Sequence, residues 1–167
     1  MTRLTHLIAN TVIATTMLAA PLAAQAPVPF TASFKGAGGT VTLMPAPKGV
    51  LVRIDATGLT PGWHAVHFHE KGDCSDAAFK MAGSHVHSMT PVVHGLLNPQ
   101  ANDLGDLPNI HAGADGAAHA EFYSTLVMMP ALQDADGSAV VIHARPDDFT
   151  SQPIGGAGDR VACAVIR

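Results

Sequence analysis

Aromatic residues make up only 5% of this chain and charged residues 13%. With no cluster of Lys or Arg and a formal net charge of −4, nothing is built to grip a nucleic-acid backbone. An apolar content of 47% also excludes a disordered tail as the main theme. No long hydrophobic run fits a bilayer: the stretch from Leu7 to Ala20 is too short and is interrupted by threonines and Asn10. A convincing amphipathic helix and an internal repeat are both missing. The 167 residues suffice for one domain with a sizeable core, and no shift in composition divides them.

What is abundant points the other way. The 16 Gly and 12 Pro favour short strands and many turns over a helical bundle. Ten His against nine Lys and Arg is unusual, and those histidines need an explanation.

Residues 1–26 have the form of a secretory signal: Arg3, the apolar run, then small residues, with cleavage expected after Ala24 or Ala26. The domain proper is then 27–167, and its destination is the periplasm or the exterior. An oxidising compartment lets Cys74 and Cys163 pair, and closing that long loop contributes about 4–5 kcal/mol in the chain-entropy model. Two free buried thiols are the alternative reading.

Along the chain, Phe30–Lys35 and Gly39–Met44 alternate loosely about a Gly-rich turn and predict a hairpin. Val50–Ala56, Ala117–Val127, Ser138–Ala144 and Arg160–Ile166 read as further strands. From Glu70 to about Gly116 no period of 2 or 3.6 is sustained, and a loop of that length in a compact domain is a functional one. It carries Cys74, His85, His87, His94, Asp103, Asp106 and His111. A second loop, Arg145–Asp159, is rich in Asp, Pro and Gly. The expectation is an all-β fold: a Greek-key antiparallel sandwich or barrel of about eight strands with two long functional loops.

The most telling stretch is Gly-Trp-His-Ala-Val-His-Phe-His, 62–69. In a strand, His67 and His69 share one face while Val66 and Phe68 take the other. One face can pack into a core while two imidazoles on the other suit copper, zinc, iron or nickel. Alone, such a pair is equally two solvent-facing histidines.

Four longer pieces carry a resemblance: His-Phe-His-Glu-Lys-Gly-Asp-Cys (67–74), Ala-Gly-Ser-His (82–85), Gly-Asp-Leu-Pro-Asn (105–109) and Gly-Asp-Arg-Val-Ala-Cys-Ala-Val-Ile (158–166), with Val-Ile-His-Ala (141–144) as a shorter fifth. In this order, over nearly all of 28–167, the chain resembles the copper/zinc superoxide dismutases in their bacterial exported form. The resemblance implies an enzyme that converts superoxide to dioxygen and hydrogen peroxide on a copper alternating between Cu(II) and Cu(I). It implies copper ligands at His67, His69, His85 and His143. His85 would bridge to a zinc held also by His94 and Asp106, and would take a proton when copper is reduced. Where the family has its third zinc histidine, this chain has Asp103, which can ligate zinc; His87, two residues beyond the bridging position, is the other candidate. Arg160 matches the arginine that orients the anion, and Asp147, or its neighbour Asp148, the aspartate joining a copper histidine to a zinc histidine. His64, His111 and His119 match no ligand and are expected at the surface or in packing. The loop Arg145–Asp159 is a little short and lacks the lysines and glutamates that guide the anion in some relatives. The substrate is a small anion, with no nucleic-acid partner and no stable membrane insertion, and a homodimer is left open. A copper-binding protein without activity, or a copper-only dismutase, are the competing expectations.

Overall fold

A computed structural model describes residues 27–167; the predicted signal segment lies outside the described residues. Nine strands form: β1 (Phe30–Ser33), β2 (Gly38–Ala46), β3 (Gly49–Thr57), β4 (Gly62–His64), β5 (Val66–His69), β6 (Ile110–Ala112), β7 (Ala118–Ser124), β8 (Ser138–His143) and β9 (Arg160–Ile166). About eight were expected. The seven segments read from the sequence become nine among the described residues because 62–69 divides at Ala65 into β4 and β5, and because β6, three residues at the end of the long loop and too short to show a period, also forms. A single helical turn, α1 (Met129–Leu132), and a 3₁₀ turn at Lys80–Ala82 are the other regular pieces. No helix among the described residues is long and apolar enough to cross a membrane.

The strands pair antiparallel in the orders β1-β2-β3-β7, β4-β6 and β5-β8-β9. A bridge between Lys35 and Cys163 joins the first sheet to the last, and β4 runs into β5 through Ala65, so the sheets close around one core. On β3 the reason is plain in the alternation: Val52, Ile54 and Ala56 are buried while Arg53, Asp55 and Thr57 face out. The core gathers Val41, Leu43, Val52, Ile54, Val66, Phe68, Ala118, Val140, Ile142 and Ile166 from β2, β3, β5, β7, β8 and β9.

β5 and β8 differ from β3 because every residue in them is buried. Val66, Phe68, Val140 and Ile142 belong to the main core, while Ala139 and Val141 pack with Cys74, Phe79, Ala82 and Cys163 on the other side. That outer face, which also carries His67 and His69, is covered by the long loop. The cover is tied down by a disulfide between Cys74 and Cys163, separated by 89 residues, with Cα atoms 5.8 Å apart. Of the two readings of the cysteines, pairing is the one the fold shows; among the described residues there is no free thiol.

Candidate metal centre

The long loop returns to β5 twice and is hydrogen-bonded to it as if by fragments of a sheet. Phe68 N–H donates to Gly105 O at 2.9 Å, and Val86 N–H to Phe68 O at 2.9 Å. His67 thereby faces Asp106 and His69 faces His85 across isolated bridges. Gly105 permits this approach: a Cβ there would stand 2.3 Å from Phe68 O and 3.0 Å from the Cβ of His85. From the far side, β8 pairs His67 with Val141 and His69 with Ala139, and a register shift after Ile142 turns His143 toward them.

One ligand atom from each of His67, His69, His85 and His143 lies within 4.8 Å of the others, and all four residues are buried. Each ring is oriented through one nitrogen. His67 Nε2–H donates to Asp147 Oδ2 (2.9 Å), His69 Nδ1–H to Gly83 O (3.0 Å) and His143 Nδ1–H to Gly158 O (3.1 Å). The opposite nitrogens, His67 Nδ1, His69 Nε2, His143 Nε2 and also His85 Nε2, are buried without a partner. A buried polar atom normally finds one, so four unpartnered nitrogens grouped this closely fit a cation held between them. All-imidazole donors suit copper in both oxidation states. The electrostatics agree: burial, reinforced by the neighbouring rings, pushes His143 down to about 3 and His69 well below the ordinary value. Burial likewise lowers His67 to about 4, its bond to Asp147 only partly opposing. Near neutral pH these rings are uncharged and ready to ligate.

The second set shares His85. Its Nδ1 lies 2.6 Å from Asp103 Oδ2 and 3.7 Å from Asp106 Oδ1, while His94 Nδ1 lies 3.3 Å and 2.5 Å from the same two oxygens. Tetrahedral ligands about 2.0–2.1 Å from one ion stand roughly 3.3 Å apart, the middle of this range. Asp106 Oδ1 is buried with no hydrogen bond of its own, a fifth orphan. His67 also lies within 4.8 Å of His85, His94 and Asp106. Asp103 stands outside that group of four, but its Oδ2 faces both His85 Nδ1 and His94 Nδ1, so it is a further carboxylate beside them. Here the electrostatics invert. Burial would lower His94, but Asp103, Asp106 and Asp147 outweigh it and hold the ring up to about 11. His85 is raised for the same reason, burial being outweighed by Asp103 and Asp106. Both carboxyls are held below their usual range by the two rings, against the opposing effect of burial. In this set protons on the rings balance the carboxylates, the place a bound cation would take.

Asp147, and not Asp148, connects the two sets: Oδ2 accepts from His67 and Oδ1 from His94 Nε2–H at 3.1 Å. Asp148 is turned outward to cap Thr150 and Ser151. Asn109, the last residue of the 105–109 motif, clamps Asp147 by donating to its carbonyl and accepting from its N–H, both at 2.9 Å. Only glycine fits at 155, where a Cβ would stand 1.6 Å from Asp147 Oδ1.

Arg160 donates to Phe79 O and Gly83 O, each at 2.6 Å, so the guanidinium shares Gly83 O with the His69 ring. Phe79 takes a positive φ of 53° to aim that carbonyl, a conformation a bulky residue adopts only under constraint. A cavity of about 250 Å³ is lined by Ser84, His85, Val92, Asp103, Pro153, Ile154 and Arg160, and so reaches His85. His87 joins neither donor set; half-buried, it donates through Nδ1 to His85 O at 2.8 Å. His111 and His119 are exposed, as expected. His64 is the one whose role the pattern understated: it is 1% exposed, and both ring nitrogens lie 2.7 Å from carbonyls, of Thr60 and of the ligand-bearing His143.

An all-β barrel that buries two overlapping groups of histidine and carboxylate donors has the frame of a metal-binding protein. The family model for copper/zinc superoxide dismutase (SODC) matches residues 37–166. A Cu-Zn superoxide dismutase of Caulobacter vibrioides is 64% identical over 135 residues, covering 77% of this chain and 78% of that one. A solved structure of a double mutant of a superoxide-dismutase-like protein from Bacillus subtilis superposes with a TM-score of 0.74 at 31% identity, covering 81% of this chain and 95% of that one. The Cu/Zn superoxide dismutase from Brucella abortus gives 0.69 at 26%, with 84% and 100% covered. The chain belongs to the copper/zinc superoxide dismutase family.

Proposed function

We propose that this protein is a superoxide dismutase in which His67, His69, His85 and His143 hold copper, and His85, His94, Asp103 and Asp106 hold zinc. The observation that carries it is the set of four buried ring nitrogens without partners, each aimed by a bond from the other side of its ring or, for His85, by the second donor set. Bound copper supplies the one-electron couple that takes one superoxide to dioxygen and another to hydrogen peroxide, and bound zinc neutralises the carboxylates. The chain's own residues supply the rest. Arg160, fixed by two carbonyls at the mouth of the cavity, draws in and orients a small anion. Val92, Pro153 and Ile154 give that cavity an apolar wall. His85 lines it and reaches both donor sets, so its Nε2 is the atom at which a proton can be held for the peroxide. Asp147 keeps the His67 and His94 rings in fixed tautomers. A protein that only stored copper would not need Arg160.

Export belongs to the same reading: residues 1–26 as a signal, the domain over 27–167, and a periplasmic destination, which the disulfide supports because such bonds persist in oxidising compartments. Nothing in it requires a second copy, since both donor sets come from one chain. The test is superoxide disappearance with copper- and zinc-loaded protein. Activity is expected in wild type and none in His143→Ala; full activity in that variant would remove the copper assignment.

A further inference from the structure

Both ends of the link between the two donor sets are gripped by a side-chain amide. Asn109 grips Asp147. The other grip falls on His94, and it comes from Gln152 in the second loop: Gln152 Oε1 accepts from His94 N–H at 2.9 Å, and its Nε2 donates to His94 O at 2.8 Å. A second bond from Nε2 to Thr150 O at 3.0 Å holds the amide in its own loop. Resting on the zinc reading above, we infer that Gln152 is a positioning residue for the zinc site: it fixes the backbone of His94, and so the direction of that ring, from the loop that also carries Asp147.

The physical case is one of satisfied groups. His94 is fully buried, so its N–H and C=O must find partners, and no strand passes beside it. Gln152 supplies donor and acceptor together, as the peptide group of a neighbouring strand would. The main chain continues the match, with Leu97 N–H donating to Phe149 O at 3.1 Å. The contact is close, for a Cβ at Gly95 would stand 2.2 Å from Phe149 O. Asn98 Nδ2 also reaches His94 O, at 3.2 Å, but among the side chains only Gln152 answers the N–H. Because His94 Nε2–H is spent on Asp147 and its Nδ1 faces Asp103 and Asp106, tilting the backbone moves both ends of the ring at once. No catalytic group touches Gln152. Its effect on the site passes through His94.

The test uses protein loaded with copper and with cobalt(II) in place of zinc, alongside the copper/zinc form. The variants are Gln152→Leu, which removes both bonds, and Gln152→Glu, which keeps an acceptor for the N–H. Two quantities are read: the rate at which zinc passes to a chelator, and the visible spectrum of cobalt, which reports its ligand geometry. Outer partners of metal-bound histidines change affinity about 10–100-fold. Gln152→Leu is expected to release zinc at least about tenfold faster, with an altered cobalt spectrum and an unchanged Cu(II) paramagnetic spectrum; Gln152→Glu should fall between it and wild type. If Gln152→Leu does not fold, Gln152→Glu alone must still show faster release and a shifted cobalt spectrum. Wild-type release and an unaltered cobalt spectrum in the folded variants would overturn the inference while leaving the zinc site intact. A wild type that takes up neither zinc nor cobalt would overturn the zinc reading itself, and this one with it.

Discussion

The proposed copper and zinc sets share His85 and are otherwise built on opposite principles. On the copper side, three of four rings stand on strands, His67 and His69 on β5 and His143 at the end of β8, and each is aimed by a carboxylate or a backbone carbonyl. The rings are neutral because burial forbids their charge. On the zinc side every donor comes from the long loop, and opposite charges are packed together, two carboxylates against two rings. The proposed copper set is thus placed mostly by strands, with His85 brought by the long loop, whereas the proposed zinc set is placed by loop alone and would lean on its ion and on the second loop.

If that contrast is right, changes on the two sides fail differently. The largest effect is expected for His143→Ala, in which copper is lost and dismutation falls to background while zinc still binds, measured by metal analysis and superoxide decay. Arg160→Ala should keep both metals and lower kcat/KM by about 10–10³-fold, the range over which local positive potential raises encounter rates. The remaining rate should depend less steeply on ionic strength.

Proton release should separate the sides at neutral pH. Zinc must displace a proton from His94, held up to about 11, whereas His67 and His143, lowered to about 4 and about 3, have none to lose. Calorimetry in buffers of different ionisation enthalpy should therefore show more proton release with zinc, which meets both raised rings, His85 and His94, than with copper, which meets only the shared His85.

The same shifts set the stability of the metal-free protein. His67 and His143 bind protons more weakly folded than unfolded, so their contribution is complete above 6.5 and is lost as pH falls through about 4 and about 3. His94 binds its proton more tightly folded, so its contribution is complete below 6.5 and is lost as pH rises through about 11. Metal-free protein should be most resistant to denaturant near pH 6.5. The effect of zinc on this profile should be greatest on the alkaline side.

What could be read from the sequence follows the same division. His67 and His69 were visible in a two-residue period, and His143 at the end of an apolar strand, because strands impose a pattern on their residues. His85, His94, Asp103 and Asp106 lie in a stretch with no period, and only their resemblance to a family picked them out. Three features left no local signal. β6 is three residues long, and its partner β4 is no longer. His64 looks like any strand histidine until its carbonyl partners are known. Gln152 acts on backbone 58 residues away, where the identity of the partner residue leaves no trace.

On the proposed reading one chain holds two different metals, the second with Asp103 among its ligands. The most direct test of that reading is metal content per chain, measured with dismutase activity, for wild type and Asp103→Ala after loading with copper and zinc. One copper and one zinc in the wild type, with zinc lost or bound at least about tenfold more weakly in the variant and copper retained, is the predicted result. Copper alone in an active wild type, with the variant indistinguishable from it, would contradict the account.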